Sequence, residues 1–177
     1  MKAVLMAFSP KECEKIFSGE KLVDVRKVAP KLETSYKVYM YQTKEKGGVK
    51  IINDCLNSVY GGGKVVGEWV CDEKHDIQFA GASYTINNDI SLTNRIARQS
   101  CLQYDDMFSY LGVKGGAALH ITKPKLYDKP KKLGEFRKPC EYASEHYACY
   151  PDNCARCPWN TVTRPPQSFM YVEEIEE

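Results

Sequence analysis

Residues 1–26 alternate apolar and polar segments in a pattern that predicts a strand, a helix and a second strand. Residues 3–8 are an apolar run, which indicates a buried strand. Ser9 is a good helix N-cap, with Pro10 at the first helical position and Glu12 placed to complete a capping box. Gly19 is the residue type that commonly ends a helix.

The second strand is predicted to separate apolar from charged side chains. Val23 and Val25 share one face of an extended chain and are expected to point into the core. Asp24 and Arg26 share the other face, shortly after Lys21. This junction could present all three charges to a small anionic or polar ligand. The alternative is an ordinary exposed ion pair, worth about 0–1 kcal/mol.

The remaining apolar runs predict mostly strands. They lie at residues 36–41, 65–70, 117–127 and 169–172. The second run continues with weak alternation toward residue 77, and Pro124 marks an edge or a bulge in the third. A second helix is predicted over residues 101–111, ended by Gly112, whereas residues 87–99 are polar. Because strands and helices do not alternate regularly, the pattern favours an α+β fold over a parallel α/β sheet.

The helix–strand junction resembles the hallmark of the ASCH family, a branch of the PUA-like β-barrel proteins. Gly19, Lys21 and Arg26 fit its Gly-x-Lys-x-x-Glu-x-Arg pattern, and Asp24 replaces the usual Glu. The resemblance covers residues 1–138 and 164–174. Within it, residues 63–69 are similar to a central strand of the family. Residues 115–121 and 164–172 are similar to segments of its phage- and prophage-type members.

The resemblance implies a small PUA-like β-barrel with two or three short helices. We expect a single domain over residues 1–177, in which residues 139–163 are a Cys-rich insert before the last strand. The chain length and a 43% apolar composition agree with one globular domain. Without an apolar run long enough for a bilayer, or a signal-peptide pattern, a cytoplasmic protein is expected.

The net charge of +2 points to no partner, but its distribution does. One basic cluster lies between residues 21 and 31, and another between residues 123 and 138. If both fold to the same side of the protein, they are predicted to form a nucleic-acid-binding surface. The alternative is a solvated charged face. PUA-like proteins commonly bind RNA, so the resemblance favours RNA or a nucleotide as the ligand. The candidate binding residues are Lys21, Arg26, Lys27, Lys123, Lys125, Lys131 and Lys132.

Four cysteines near the C-terminus form a candidate structural zinc site: Cys140, Cys149, Cys154 and Cys157. The last two have the Cys-x-x-Cys spacing that lets both thiolates face one ion. The surrounding segment has too little apolar content to build its own core, so zinc would hold it. Free thiols, or one disulfide formed on oxidation, are the alternatives.

Two further functions compete with nucleic-acid binding. Some ASCH-like proteins hydrolyse an acyl amide on a modified cytidine with a Lys, a Thr and a Glu. Lys21 matches the lysine, but Asp24 stands where the nucleophilic Thr would be. A hydrolase of a modified nucleoside or of RNA would therefore depend on Lys21 and Asp24 as an acid–base pair. The other alternative is a phage-derived protein-interaction factor that uses the Cys-rich insert.

Overall fold

The computed structural model describes residues 2–44, 51–52, 58–59, 62–81, 83–140 and 160–175. The described residues form a mixed α+β fold whose helices are α1 (Pro10–Phe17), α2 (Ile90–Gln99) and α3 (Tyr104–Leu111). The strands are β1 (Lys2–Phe8), β2 (Val23–Arg26), β3 (Tyr36–Gln42), β4 (Ile51–Ile52), β5 (Ser58–Val59), β6 (Lys64–Phe79), β7 (Tyr84–Thr85), β8 (Gly116–Lys131) and β9 (Phe169–Glu173).

One large sheet organises the described part of the chain, with the strand order β2-β8-β6-β3-β1-β9 and with β7 paired to β6. The pairs are antiparallel except for β1 and β3, which run parallel. The long strands β6 and β8 pair through several register shifts. Such shifts bend a sheet and increase its twist, so these two strands curl the sheet around its interior.

The sheet is open in the described residues, because β2 and β9 are its two edges. The closed barrel expected from the sequence is therefore not shown. The physical reason is that closure requires main-chain pairing between the edge strands. Instead, the side chain of Arg26 on β2 reaches the main-chain oxygens of Ala7 on β1 and of Ser168 just before β9.

The predicted capping of α1 is confirmed. The Ser9 hydroxyl accepts from the N–H of Glu12, and the Glu12 carboxylate accepts from the N–H of Ser9. Gly19 has a φ of +77°, a conformation that favours glycine, and its N–H donates to the oxygen of Ile16. The chain can therefore turn sharply into β2.

Both faces of the sheet are buried, which explains the continuous apolar runs. On β1, for example, Val4 and Met6 pack with the cluster that also contains Trp69, whereas Ala3 and Leu5 pack on the other side. A third cluster lies beneath α2 and α3 and includes Val23 and Val25. The valines thus point into a core, as predicted.

The helices match the sequence only in part. The second predicted helix is α3, and it ends at Gly112, as expected. Helix α2 covers residues that the sequence pattern indicated only as polar, and Ile96 is its buried residue. The Asp89 side chain caps α2 by accepting from the N–H of Leu92. In the described ranges, every helix is too short and too polar to cross a bilayer.

Candidate functional site

Lys21 lies beneath the turn that joins α1 to β2 and is only 4% exposed. Its N–H donates to the oxygen of Lys15, which folds the turn back onto α1. The ammonium then lies between two carboxylates, 2.9 Å from Asp24 Oδ1 and 3.1 Å from Glu12 Oε1. Lys21 is therefore paired on both sides.

Asp24 joins this lysine to Arg26. Arg26 Nε donates to Asp24 Oδ2 at 2.6 Å, and Asp24 is 1% exposed. The guanidinium also donates to the main-chain oxygens of Ala7 at 3.0 Å and Ser168 at 3.4 Å. It lies over the Phe8 ring, 4.7 Å from its centroid. Each of the three guanidinium nitrogens of Arg26 thus donates a hydrogen bond inside the protein.

The network is electrically balanced, with two carboxylates and two cations. Burial by itself would raise the pKa of Asp24, but the attraction of Arg26 and Lys21 outweighs it and holds that pKa below its usual value. Burial would lower the pKa of Lys21, yet Asp24 and Glu12 raise it overall. The pKa of Glu12 is lowered by the same lysine despite burial. All four groups therefore stay charged near neutral pH.

The expectation of an open junction is wrong at Lys21 and Arg26, because both side chains are buried. The physical reason is the curl of the sheet, which turns the charged face of β2 inward. Glu12 is the most exposed member of the network, with 41% of its side chain accessible. In the sequence, Glu12 is recognisable only as part of a helix cap, and the capping box gives no signal of its second role. Phe8 was likewise identified only as part of an apolar strand.

The predicted basic clusters do not form a single surface. Lys21 and Arg26 are buried, and Lys27 follows Arg26 opposite the first residues of β8, where its ammonium lies 5.0 Å from the Tyr110 ring centroid. The other basic candidates occupy the far half of the same strand or follow it: Lys123, Lys125, Lys131 and Lys132. The aromatic residues interleaved among them, Tyr127 and Phe136, are 7% and 0% exposed and so are not stacking surfaces.

The lysines of the far half of β8 remain as an accessible basic feature. Lys123, Lys125, Lys129 and Lys132 are exposed, and Lys131 is half-buried over the Tyr127 ring. We call residues 123–132 the β8 basic strand. It carries five lysines and a single acidic residue, Asp128.

Of the four predicted zinc ligands, Cys140 is described, and its thiol is free and half-buried. Cys149, Cys154 and Cys157 lie outside the described residues. Within the described ranges, His, Cys, Asp and Glu side chains form no group that could hold a metal ion. The main-chain N–H of Lys138 donates to the main-chain oxygen of Asn160, so the residue that precedes the predicted insert lies beside a residue near the end of it.

Comparison with known proteins relates this chain to others by its fold. No protein-family model and no curated protein sequence matches it. A solved structure of ASCH from Zymomonas mobilis matches with a TM-score of 0.59 and 17% identity, over 97% of this chain and 88% of that chain. A tyrosine-to-phenylalanine variant of that protein matches with a TM-score of 0.60 and 16% identity, over 98% and 92%.

A serine-to-alanine variant of the same protein matches with a TM-score of 0.59 and 16% identity, over 97% of this chain and 89% of that chain. Identities at this level show the fold alone. The chain therefore has the fold of these solved ASCH structures, in agreement with the family that the sequence resembles. A phage or prophage origin stays a prediction.

Proposed function

We propose that this protein binds RNA or a nucleotide, with the β8 basic strand as the contact for phosphate groups. The observation that supports this proposal most directly is the row of exposed lysines on an ASCH fold. The whole chain carries only +2, so the positive charge is concentrated rather than general. A concentration of this kind attracts a polyanion and orients it along the strand.

The position of these lysines along one strand explains why they can act together. Register shifts against β6 and a positive φ at Lys123 interrupt the regular alternation here, so exposure rather than a strict repeat places them toward solvent. Lys123, Lys125 and Lys129 all lie on this strand. The buried network contributes indirectly, because it fixes α1 and β2 next to β8. Lys21 and Arg26 are therefore proposed to support the binding surface rather than to contact the ligand.

The test is binding of a mixed single-stranded RNA pool at low and moderate salt. We expect the double variant Lys129→Ala/Lys132→Ala to weaken binding and to reduce the slope of log affinity against log salt by about 1.4, since each phosphate contact to a single strand contributes about 0.7. The matched control is Lys2→Ala/Lys114→Ala, which removes two exposed lysines elsewhere. Equal losses in both variants, or no binding by the wild type, would reject the proposal.

A hydrolase is the second candidate, and one contact favours it. Lys21 Nζ lies 2.9 Å from Asp24, at the position where the family resemblance places a catalytic lysine. Because the pKa of Lys21 is raised, this group would stabilise negative charge instead of accepting a proton. The assays are acetate release from N4-acetylcytidine and cleavage of RNA, each repeated with Lys21→Met after its fold is verified. Activity that survives this substitution would exclude Lys21 from the chemistry.

A further inference from the structure

A cavity lies on the opposite face of β2 from Asp24. It has a volume of about 220 Å³, lies among residues of β2, β6, β8 and α2, and is partly open to solvent. Its apolar floor consists of Val23, Ile96 and Ala118. The N–H of Leu22 donates to the oxygen of Gln99 at 2.9 Å and so ties the end of α2 to the start of β2. The cavity is thus a built feature between two fixed elements.

Two histidines form one side of this cavity. His75 is paired with Ala118 across the β6–β8 ladder, so His75 and His120 are diagonal neighbours on one face of the sheet. Each imidazole is held by a carboxylate. His120 Nδ1 lies 2.7 Å from Asp72 Oδ1, and His75 Nε2 lies 3.1 Å from Glu73 Oε1. Both rings therefore lie in the cavity wall with a carboxylate beside each of them.

The polar groups of the lining both donate and accept hydrogen bonds. Glu73 offers a carboxylate, Arg95 a guanidinium, and Gln99 an amide that does both. If histidine is counted as neutral, the charges of Glu73 and Arg95 cancel, and Asp72 behind His120 adds a negative charge. A phosphate group would therefore find no excess of positive charge. The cavity favours a neutral, planar ligand with donors and acceptors along its edges.

We propose that this cavity binds a single nucleobase, presented either by a free nucleoside or by an unpaired nucleotide of an RNA strand. Imidazole and guanidinium planes stack on bases, and carboxylate and amide groups pair with base edges. His120 precedes Lys123 on the same strand by about 10 Å of extended chain. A strand bound along the β8 basic strand could thus place one base in the cavity. The choice of a nucleic-acid ligand rests on the proposed function.

The test follows imidazole resonances by NMR while nucleosides, short RNA or inorganic phosphate are added to the full chain. The chain contains three histidines, so single His→Gln variants assign His75 and His120. We expect nucleosides at millimolar concentration to shift both resonances. Arg95→Ala and Gln99→Ala each remove one edge contact and are expected to weaken binding about tenfold. Both sites are on α2, where alanine preserves the helix.

The matched controls are Arg98→Ala and Asn94→Ala, which alter the same types of side chain on α2 but line a different cavity. They are expected to leave nucleoside binding unchanged. If short RNA shifts the imidazole resonances but free nucleosides do not, the cavity binds a base that is part of an RNA strand. Shifts with inorganic phosphate alone, no shift with any nucleoside or RNA, or equal losses in the controls would overturn the proposal.

The two proposals fail separately. If the lysine variants leave RNA binding unchanged while nucleosides still shift His75 and His120, the β8 basic strand is rejected and the cavity stands. If RNA binding depends on the lysines but no nucleoside or RNA affects the imidazoles, the cavity is rejected and the basic strand stands.

Discussion

The guanidinium of Arg26 donates to the main-chain oxygen of Ala7 at 3.0 Å across a sheet in which β2 and β1 are not paired. The same side chain reaches Ser168, which precedes the edge strand β9. A side chain thus links the edges of the curled sheet where a closed barrel would have a ladder of main-chain bonds. Asp24 makes this possible, because it compensates the buried positive charge.

Replacing Arg26 by lysine tests this link. Arg26→Lys keeps the charge beside Asp24, but a single ammonium cannot reach a carboxylate and two carbonyls on separate elements. We expect the free energy of unfolding to fall by about 1.5–3 kcal/mol, as for hydrogen bonds to a charged group. Urea titration measures it. The control Arg98→Lys changes an exposed guanidinium whose bond stays within α2, and should remain within about 0.5 kcal/mol. Equal effects would mean that the fork geometry of Arg26 is unimportant.

Asp24→Asn is expected to lower the free energy of unfolding more than Arg26→Lys does. The substitution keeps the shape of the side chain but leaves Lys21 and Arg26 buried with less compensation. Removing one partner of a buried ion pair lowers the free energy of unfolding by about 3–5 kcal/mol. Urea or thermal unfolding gives the value, and Asp128→Asn on the exposed β8 basic strand is the control. A wild-type-like stability of Asp24→Asn would show that the network contributes nothing to the fold.

The network also predicts the direction of pH dependence. The pKa of Asp24 and that of Glu12 are lowered in the folded protein, so their stabilisation is complete above the ordinary carboxyl pKa of about 4. It is lost as the pH falls through the lowered folded values. Unfolding free energies measured between about pH 7 and about pH 3 should therefore decrease toward acid.

The matched comparison is the Asp24→Asn variant over the same pH interval. Its free energy of unfolding should fall less on acidification than that of the wild-type protein. If both proteins lose stability in parallel, Asp24 is not the source of the acid sensitivity. Lys21 acts in the opposite sense, since its pKa is raised. Its contribution persists below the ordinary lysine value and disappears only as the pH rises through the raised one.

Gly67→Ala is predicted to destabilise the protein. A Cβ at this position would lie 2.3 Å from the oxygen of Lys125 and 2.6 Å from the Phe17 ring. Since one of these atoms belongs to the main chain of a paired strand, Gly67→Ala must displace β8 or α1, at a cost of about 1–3 kcal/mol. Gly62→Ala is the control, because its Cβ would meet open space. Equal melting temperatures would contradict the close packing of α1 on β6.

The zinc prediction is open to direct measurement. Protein purified without chelator should contain about one zinc per chain if the four cysteines share one ion. Cys154→Ala/Cys157→Ala should remove the metal, whereas Cys101→Ser, a thiol elsewhere in the fold, should not. Absence of zinc from the wild-type protein would leave free thiols or a disulfide as the explanation of the cluster.

The sequence specified the first strand–helix–strand unit in detail. Ser9, Glu12 and Gly19 act within a few residues of one another, so their capping roles depend on local geometry alone. Helix α2 was less accessible to prediction, because its apolar face is narrow: Ile96 is its one buried residue, and Leu92 and Ala97 lie partly buried beside it. Its N-cap Asp89 was the available signal.

What only the tertiary structure decided is which charges face solvent. Alternation along β2 predicts that Asp24 and Arg26 share a face, but it does not show whether another layer covers that face. The acceptors of Arg26 are main-chain oxygens at Ala7 and Ser168, and main-chain atoms leave no trace in the amino-acid pattern. The curl of the sheet brings them together, and it arises from long-range pairing of β6 with β8. Local sequence determined the elements, and the closure of distant strands determined the site.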